Sequence, residues 1–214
     1  MVSLLVVSLI DLPATAANPV LGFVLAAQSS QIDGVAAIEG TNVFAGDTLS
    51  TAAAGGIRLQ LGLNQVYMPA SSSMTLANGN GGLTAVLSGG AVAFATPNGG
   101  GISVSAEDVL IRPENREPTS AEITVLASDE LKIASVSGPL ALELDGESYT
   151  LTPGRTYGAK IVADNSDNQG AQKRPAKKRR RLLLFLFFTT AGVATVLELT
   201  RHKPPPPPVS PWQP

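Results

Sequence analysis

Short runs of alternating apolar and polar residues extend from Gly22 to Val162, and this pattern constrains the fold more than any other feature. In a strand, alternation with a period of two places every second side chain on the same face, as in "IRLQL" and "ISVSA". Turn residues separate the runs about every eight to twelve residues, a spacing typical of sandwiches and barrels. No helical periodicity appears before residue 182. The sequence therefore predicts an all-β domain, an antiparallel β-roll or sandwich of many short strands.

Two local features make this prediction more specific. Ile57, Leu59 and Leu61 alternate with polar residues, so we expect these three side chains to face the core. Dipeptides of Asn or Asp with Gly accept the positive φ of tight hairpin turns. They occur at Asp33-Gly34, Asn78-Gly79, Asn98-Gly99 and Asp145-Gly146.

Composition limits both the core and the chemistry. A chain of 214 residues is long enough for one domain with appendages, and aromatic residues make up only 5% of it. The core must therefore be built mainly from Val, Leu, Ile and Ala. Because the sequence contains no cysteine, disulfides, thiolate catalysis and zinc–cysteine sites are excluded.

Charge is segregated along the chain. Residues 1–172 contain six basic and sixteen acidic residues, a net charge of −10, whereas "KRPAKKRRR" at 173–181 contains seven basic residues and no acidic one. Such segregation indicates parts with different partners.

The first twenty residues favour a secretory signal. Val2 to Ile10 is apolar but too short to span a bilayer, and Ala14 and Ala16 fit the small-x-small cleavage rule. We expect cleavage after Ala16, giving a signal peptide over 1–16, although no Lys or Arg precedes the apolar run. The alternative is a buried first strand.

The C-terminal part predicts a linker, a membrane helix and a tail. Residues 164–181 are polar and then basic, and Leu182 to Thr200 is apolar except for Glu198. Nineteen helical residues rise about 28 Å, close to the ~30 Å of bilayer hydrocarbon, which predicts a transmembrane helix over 182–200. A buried core helix is the alternative. Residues 201–214 include five consecutive prolines, which favour polyproline II.

The basic cluster beside this apolar run indicates contact with anionic lipid headgroups, at about 1 kcal/mol per basic residue. A nucleic-acid patch is the alternative, but it would need a scaffold and aromatic partners. The expected headgroup contacts are Lys177, Lys178, Arg179, Arg180 and Arg181.

Two membrane orientations remain open. A cleaved signal would place the β-domain outside the cytoplasm, with the helix stopping transfer. The positive-inside rule favours the opposite, a cytoplasmic domain with a tail-anchored helix, because seven basic residues precede the helix and only Arg201 and Lys203 follow it.

No catalytic constellation is evident. The sole histidine, His202, lies in the tail, and neither a GxSxG elbow nor a phosphate-binding GxxxxGK[ST] loop occurs. The remaining option is a carboxylate pair for glycoside hydrolysis or calcium binding, against the simpler interpretation of a solvated acidic loop. We expect a non-enzyme without cofactor or metal. The carboxylates concerned are Glu107, Asp108, Glu114, Glu117 and Glu122.

Several motifs follow one another in a recognisable order. "G-x-x-l-x-x-G-D-x-l-x-T" is matched by Gly40 to Thr51, a glycine-tipped strand by Gly56 to Leu61, and "v-x-L-x-x-G-x-v" by Val86 to Val92. Looser matches follow at Val125 to Gly138 and Leu151 to Gly154. Together these motifs make residues 20–158 resemble the FecR-like domain of bacterial envelope proteins. "ANPV" at 17–20 resembles the start of exported relatives.

The resemblance implies an all-β roll or sandwich in an envelope setting. The best-known family member is a membrane regulator that senses an outer signal and controls a sigma factor inside. This chain departs from that layout, because its β-domain precedes the helix and only fourteen residues follow Thr200. We therefore expect a FecR-like β-domain over 17–163, membrane-anchored, with a non-catalytic binding or structural role and an envelope protein as partner. The alternative is FecR-type signal transduction through a partner protein. We expect the domain to lie in the periplasm or otherwise outside the cytoplasm.

Overall fold

The computed structural model describes residues 19–79, 82–163, 180–187 and 195–196. The expected signal peptide, the tail at 201–214 and most of the linker lie outside these residues. The described chain forms seventeen strands and no helix. Their bounds are β1 Val20–Ile32, β2 Val35–Ala36, β3 Asn42–Phe44, β4 Thr48–Leu61, β5 Asn64–Met68, β6 Ser73–Gly79, β7 Gly82–Gly89, β8 Ala91–Thr96, β9 Ile102–Ala106, β10 Val109–Pro113, β11 Thr119–Ala127, β12 Glu130–Ser137, β13 Leu140–Leu144, β14 Glu147–Leu151, β15 Arg155–Ala163, β16 Arg180–Phe187 and β17 Thr195–Val196.

The strands form two ladders that separate at β4. The C-terminal half of β4 pairs with β5, and that ladder continues through β8, β11, β12, β15, β16 and β17. The N-terminal end of β4 pairs with β6, and the second ladder continues through β7, β9, β10, β13 and β14. Strand β1 runs along β4 and also pairs with β2 and β3. The chain thus adds short groups of strands to the two ladders in turn.

One apolar core receives side chains from both ladders. Alternate positions are buried, as in β9 and β10, so each strand gives one face to the core. The first ladder supplies Leu59, Val66, Phe94, Ile123, Ile133 and Tyr157. The second supplies Met74, Leu76, Ala85, Val104, Ile111, Leu142 and Leu151.

This architecture confirms the all-β prediction and the predicted register. Ile57, Leu59 and Leu61 are fully buried, while Arg58 is exposed. All the pairs are antiparallel except β7 with β9, which are parallel because β8 crosses to the other ladder between them. The sequence prediction was of an antiparallel arrangement, and it did not include this parallel pair.

The glycine turns are confirmed in part. Asp33-Gly34 and Asp145-Gly146 have positive φ at both residues, as a two-residue hairpin requires. At Asn98-Gly99 only the glycine has positive φ. The prediction of a turn at Asn78-Gly79 is wrong, because both residues belong to β6 and pair with β7.

The predicted C-terminal helix is wrong for Leu182–Phe187. These residues belong to β16, which pairs along its whole length with β15. An apolar run cannot be assigned to helix or strand by periodicity alone, and here the open edge of β15 supplies a backbone template. Residues 188–194 and 197–200 lie outside the described part. No helix among the described residues is both long and apolar enough to cross a bilayer.

Candidate functional site

The most distinctive feature of the fold is strand β16, which pairs with the outer edge of β15 near the end of the first ladder. We call the outer side of Thr156–Ala163, the side away from β12, the β15 edge. Eight residue pairs join it to β16, from Thr156 opposite Phe187 to Ala163 opposite Arg180. Hairpin connections between such neighbours usually contain two to five residues. Here sixteen residues, 164–179, separate the two strands.

The inner face of β16 completes the core. Leu182 and Leu184 are 6% and 7% exposed and lie opposite Ile161 and Ala159. Leu186 is partly buried against the same core, opposite Tyr157. Burying a leucine side chain stabilises a fold by roughly 1.5–3 kcal/mol, so these positions are the main apolar contribution of β16.

The outer face of β16 is also apolar. Leu183 lies opposite Lys160 and is 42% exposed, and Phe185 lies opposite Gly158 and is partly buried. Because Gly158 has no side chain, it leaves room on this face for an aromatic ring from the next strand. The result is a strand with apolar side chains on both faces.

Arg180 holds the start of β16 against two tight turns of the other ladder. Its backbone N–H donates to Oδ2 of Asp145 at 2.9 Å, and its guanidinium forms an ion pair with the carboxylate of Asp108. Asp145 lies in the turn between β13 and β14, and Asp108 in the turn between β9 and β10. The paired side chains are 49% and 71% exposed, so the ion pair contributes little energy but fixes where β16 begins.

Two of the five residues expected to contact lipid headgroups lie in the described part of the chain. Arg180 contacts protein carboxylates, and Arg181 is partly buried at the second position of β16. Lys177, Lys178 and Arg179 lie outside the described residues, so their contact with headgroups remains a prediction. In the sequence these three residues directly precede Arg180, which contacts Asp108 and Asp145 of the domain.

The acidic residues considered for catalysis are placed on different elements. Glu107 and Asp108 form the turn between β9 and β10, and Glu122 is exposed on β11. Glu114 accepts a hydrogen bond from the Thr150 hydroxyl at 2.7 Å, and Glu117 lies in the loop before β11. In the described part of the chain, no three acidic or histidine residues form a group able to hold a metal ion.

The part of the surface that the structure describes includes two open clefts and a small crevice. One cleft, of about 550 Å³, lies among loops at Leu63, Thr96, Asn98, Gly100 and Arg116. The other, of about 420 Å³, has small and polar walls where β1 bulges against β4. The crevice, of about 90 Å³, separates the end of β16 from the turn between β14 and β15. It is lined by Thr150, Thr152, Arg155, Tyr157, Leu184, Phe185 and Leu186.

Sequence reasoning missed the acidic turn that receives Arg180. Glu107 and Asp108 have φ of 49° and 68°, the left-handed values of a two-residue hairpin turn, without any glycine. Asp tolerates this region because its short side chain can bond locally, whereas Glu gives no comparable signal. The separation of two alternating strands, "ISVSA" and "VLIRP", by only two residues was the available signal.

Comparisons with known proteins show partial similarity to solved structures. No protein-family model and no curated protein matches the chain. Among solved structures, it is similar to one titled as the crystal structure of a "putative anti-sigma factor" from Parabacteroides distasonis, with a TM-score of 0.44 and 11% sequence identity. The match covers 57% of this chain and 57% of that chain. At this level of similarity no function passes from that protein to this chain.

Proposed function

We propose that this chain is a FecR-like β-domain with a non-catalytic binding role in the bacterial envelope, and that its basic segment holds it at the membrane surface. The observation that carries the proposal is the pairing of β16 with the β15 edge. The domain there takes up an extended, cationic and apolar segment through backbone hydrogen bonds and buried leucines. Such strand addition is a common way in which proteins recognise peptides.

Membrane contact follows from the position of the basic cluster. Lys177, Lys178 and Arg179 directly precede Arg180, which is fixed beside the turns at Asp108 and Asp145. Headgroup contacts by these three residues would therefore bring that end of the β-roll towards the lipid. Each basic residue near an anionic surface contributes about 1 kcal/mol.

The docked β16 restricts how the chain can meet a bilayer. With Leu182–Phe187 in β16 and Thr195–Val196 in β17, only the seven residues 188–194 lie between these two strands, and as a helix they would rise about 10 Å. This is less than the ~30 Å of bilayer hydrocarbon. We therefore propose surface contact while β16 is docked, and a span by 182–200 only when β16 leaves the sheet.

Vesicle binding tests the membrane proposal. Full-length protein is expected to float with vesicles containing phosphatidylserine and to bind neutral phosphatidylcholine vesicles much more weakly. Replacing Lys177, Lys178 and Arg179 together by Gln should lower binding about 100-fold, since three contributions of about 1 kcal/mol are lost. The control is Lys132→Gln, on an exposed position of β12, which should bind as wild type does. Unchanged binding of the triple variant would contradict the proposal.

Protease accessibility tests the proposed location outside the cytoplasm. Protease added to spheroplasts is expected to degrade the β-domain, because the apolar run Val2–Ile10 would direct its export. Protection of the domain until the membrane is broken would instead show the tail-anchored orientation. A cytoplasmic marker protein that stays intact in the same sample is the control.

A further inference from the structure

We infer that the β15 edge is a binding site for an extended segment of a partner protein, and that β16 occupies this site in cis. The inference rests on the proposed binding role and names the kind of partner. The partner would add a strand to the first ladder in place of β16. Three observations support this: the length of the connection to β16, the chemistry of the groups at the site, and the small share of the described core that β16 supplies.

The connection makes β16 a tethered strand. Sixteen residues join Ala163 to Arg180, although the two residues are directly paired. The probability of closing a flexible loop falls with about the 3/2 power of its length, so docking is favoured roughly 20-fold less than through a two-residue turn. Fully extended, sixteen residues would reach about 50 Å, so release of β16 would not strain the rest of the domain.

The site selects an extended segment of defined chemistry. Its backbone groups pair with eight successive residues, and its inner positions Ile161, Ala159 and Tyr157 face every second side chain of the added strand. At one end, the carboxylate of Asp108 pairs with the guanidinium of a leading arginine, and that of Asp145 accepts from the backbone N–H of the same residue. The partner segment is therefore expected to present an arginine followed by apolar side chains two, four and six residues later.

The core of the domain depends little on β16. Among the buried members of the described core, only Leu182 and Leu184 come from this strand, and they are 6% and 7% exposed. The ion pair of Arg180 is solvent-exposed and therefore screened by salt. At the other end, the crevice of about 90 Å³ beside Leu184–Leu186 leaves β16 incompletely packed against the turn between β14 and β15. These observations indicate a strand that can leave while the two ladders stay folded.

A soluble peptide tests the site in the full-length protein without lipid. The probe is fluorescein-labelled Arg-Arg-Leu-Lys-Leu-Thr-Leu-Thr, which keeps the arginines and inward leucines of β16 and replaces its outward apolar residues. The double variant Leu182→Asp/Leu184→Asp should lose cis docking, because two charges would have to enter the core. We expect this variant to bind the probe at least 10-fold more tightly than wild type does in fluorescence anisotropy. The matched control Leu183→Asp changes an exposed position of the same strand and should bind as wild type does.

A second variant keeps the test decisive if the double variant fails to fold. Arg180→Gln removes only an exposed contact of β16 and leaves Asp108 and Asp145 able to receive the arginine of the probe. It should bind the probe several-fold more tightly than wild type. Equal affinity of wild type and both folded variants would overturn the inference, as would equal binding of a scrambled probe. Vesicle binding is measured separately, so its failure would overturn membrane contact and leave this site standing.

Discussion

Replacing Leu59 with aspartate is expected to unfold the β-domain at room temperature. Leu59 is completely buried in β4, opposite Val24 of β1 and Val66 of β5. A charge at this position has no polar partner, and burying it costs several kcal/mol. Domains of this size are stable by only about 5–15 kcal/mol, so the change removes much or all of that stability. Circular dichroism during urea denaturation measures the loss.

The control for this prediction is Gln65→Asp, which places the same residue on the exposed face of the neighbouring strand β5. It should lower the free energy of unfolding by less than about 1 kcal/mol. Gln60 is a poorer control, because its side-chain amide donates to the carbonyls of Gly62 and Asn64 at 2.8 and 3.3 Å. Equal tolerance of aspartate at 59 and 65 would contradict the burial of Leu59, and a greater loss at 65 would mean that the register is inverted, since a shift by one residue exchanges the two faces.

The sequence predicted the strands of the domain well because the relevant signals are local. In β9 small polar residues alternate completely with apolar ones, and this alternation correctly indicates which side chains are buried. The pairing of strands that are distant in the sequence is not predicted by such local signals. The local sequences "AVAFA" and "EITVL" do not indicate that β8 pairs with β11 while β7 pairs with β9. The choice of pairing partner depends on how the two ladders share one core.

The C-terminal apolar run shows that local sequence also fails to predict the pairing at the candidate site. Leu182 to Phe187 is compatible with a helix in a bilayer and with a strand on a sheet, since both environments bury apolar side chains. The open edge of β15 and the carboxylates of Asp108 and Asp145 decide in favour of the strand. These groups lie between 19 and 74 residues before Leu182, so no short window around the apolar run contains them.

A buried polar cluster near the point where the ladders separate was likewise missed. The Thr51 hydroxyl donates to the carbonyl of Pro69 at 2.6 Å and accepts from the backbone N–H of Ser72 at 2.9 Å. The Ser72 hydroxyl accepts from the backbone N–H of Ala91 at 2.9 Å and donates to the carbonyl of Ala70 at 3.1 Å. The cluster thereby ties β4, the loop before β6 and the start of β8 together. Its signal in the sequence is only a serine and a threonine among many others.

The role of this cluster leads to a prediction about Gly90, the residue between β7 and β8. Gly90 has a φ of +76°, and its carbonyl accepts from the backbone N–H of Val125 at 2.9 Å. A Cβ at this position would lie 2.4 Å from the carbonyl oxygen of Ser71 and 2.5 Å from the Ser72 hydroxyl oxygen. These distances are far below van der Waals contact, so the backbone at Ser71–Ser72 would have to move. The movement would break the hydrogen bonds that Ser72 makes to Ala91 and Thr51.

Gly90→Ala is therefore expected to lower the free energy of unfolding by several kcal/mol, through backbone strain together with loss of the buried hydrogen bonds. Gly154→Ala is the matched control, because Gly154 has a φ of +74° and no atom within 4 Å of the added Cβ. It carries only the left-handed backbone cost of about 1–2 kcal/mol. The difference between the two variants in urea denaturation should exceed about 2 kcal/mol, and it isolates the close approach of Gly90 to Ser71 and Ser72. Equal destabilisation would mean that β8 can shift away from this turn, and that the polar cluster does not fix where the two ladders meet.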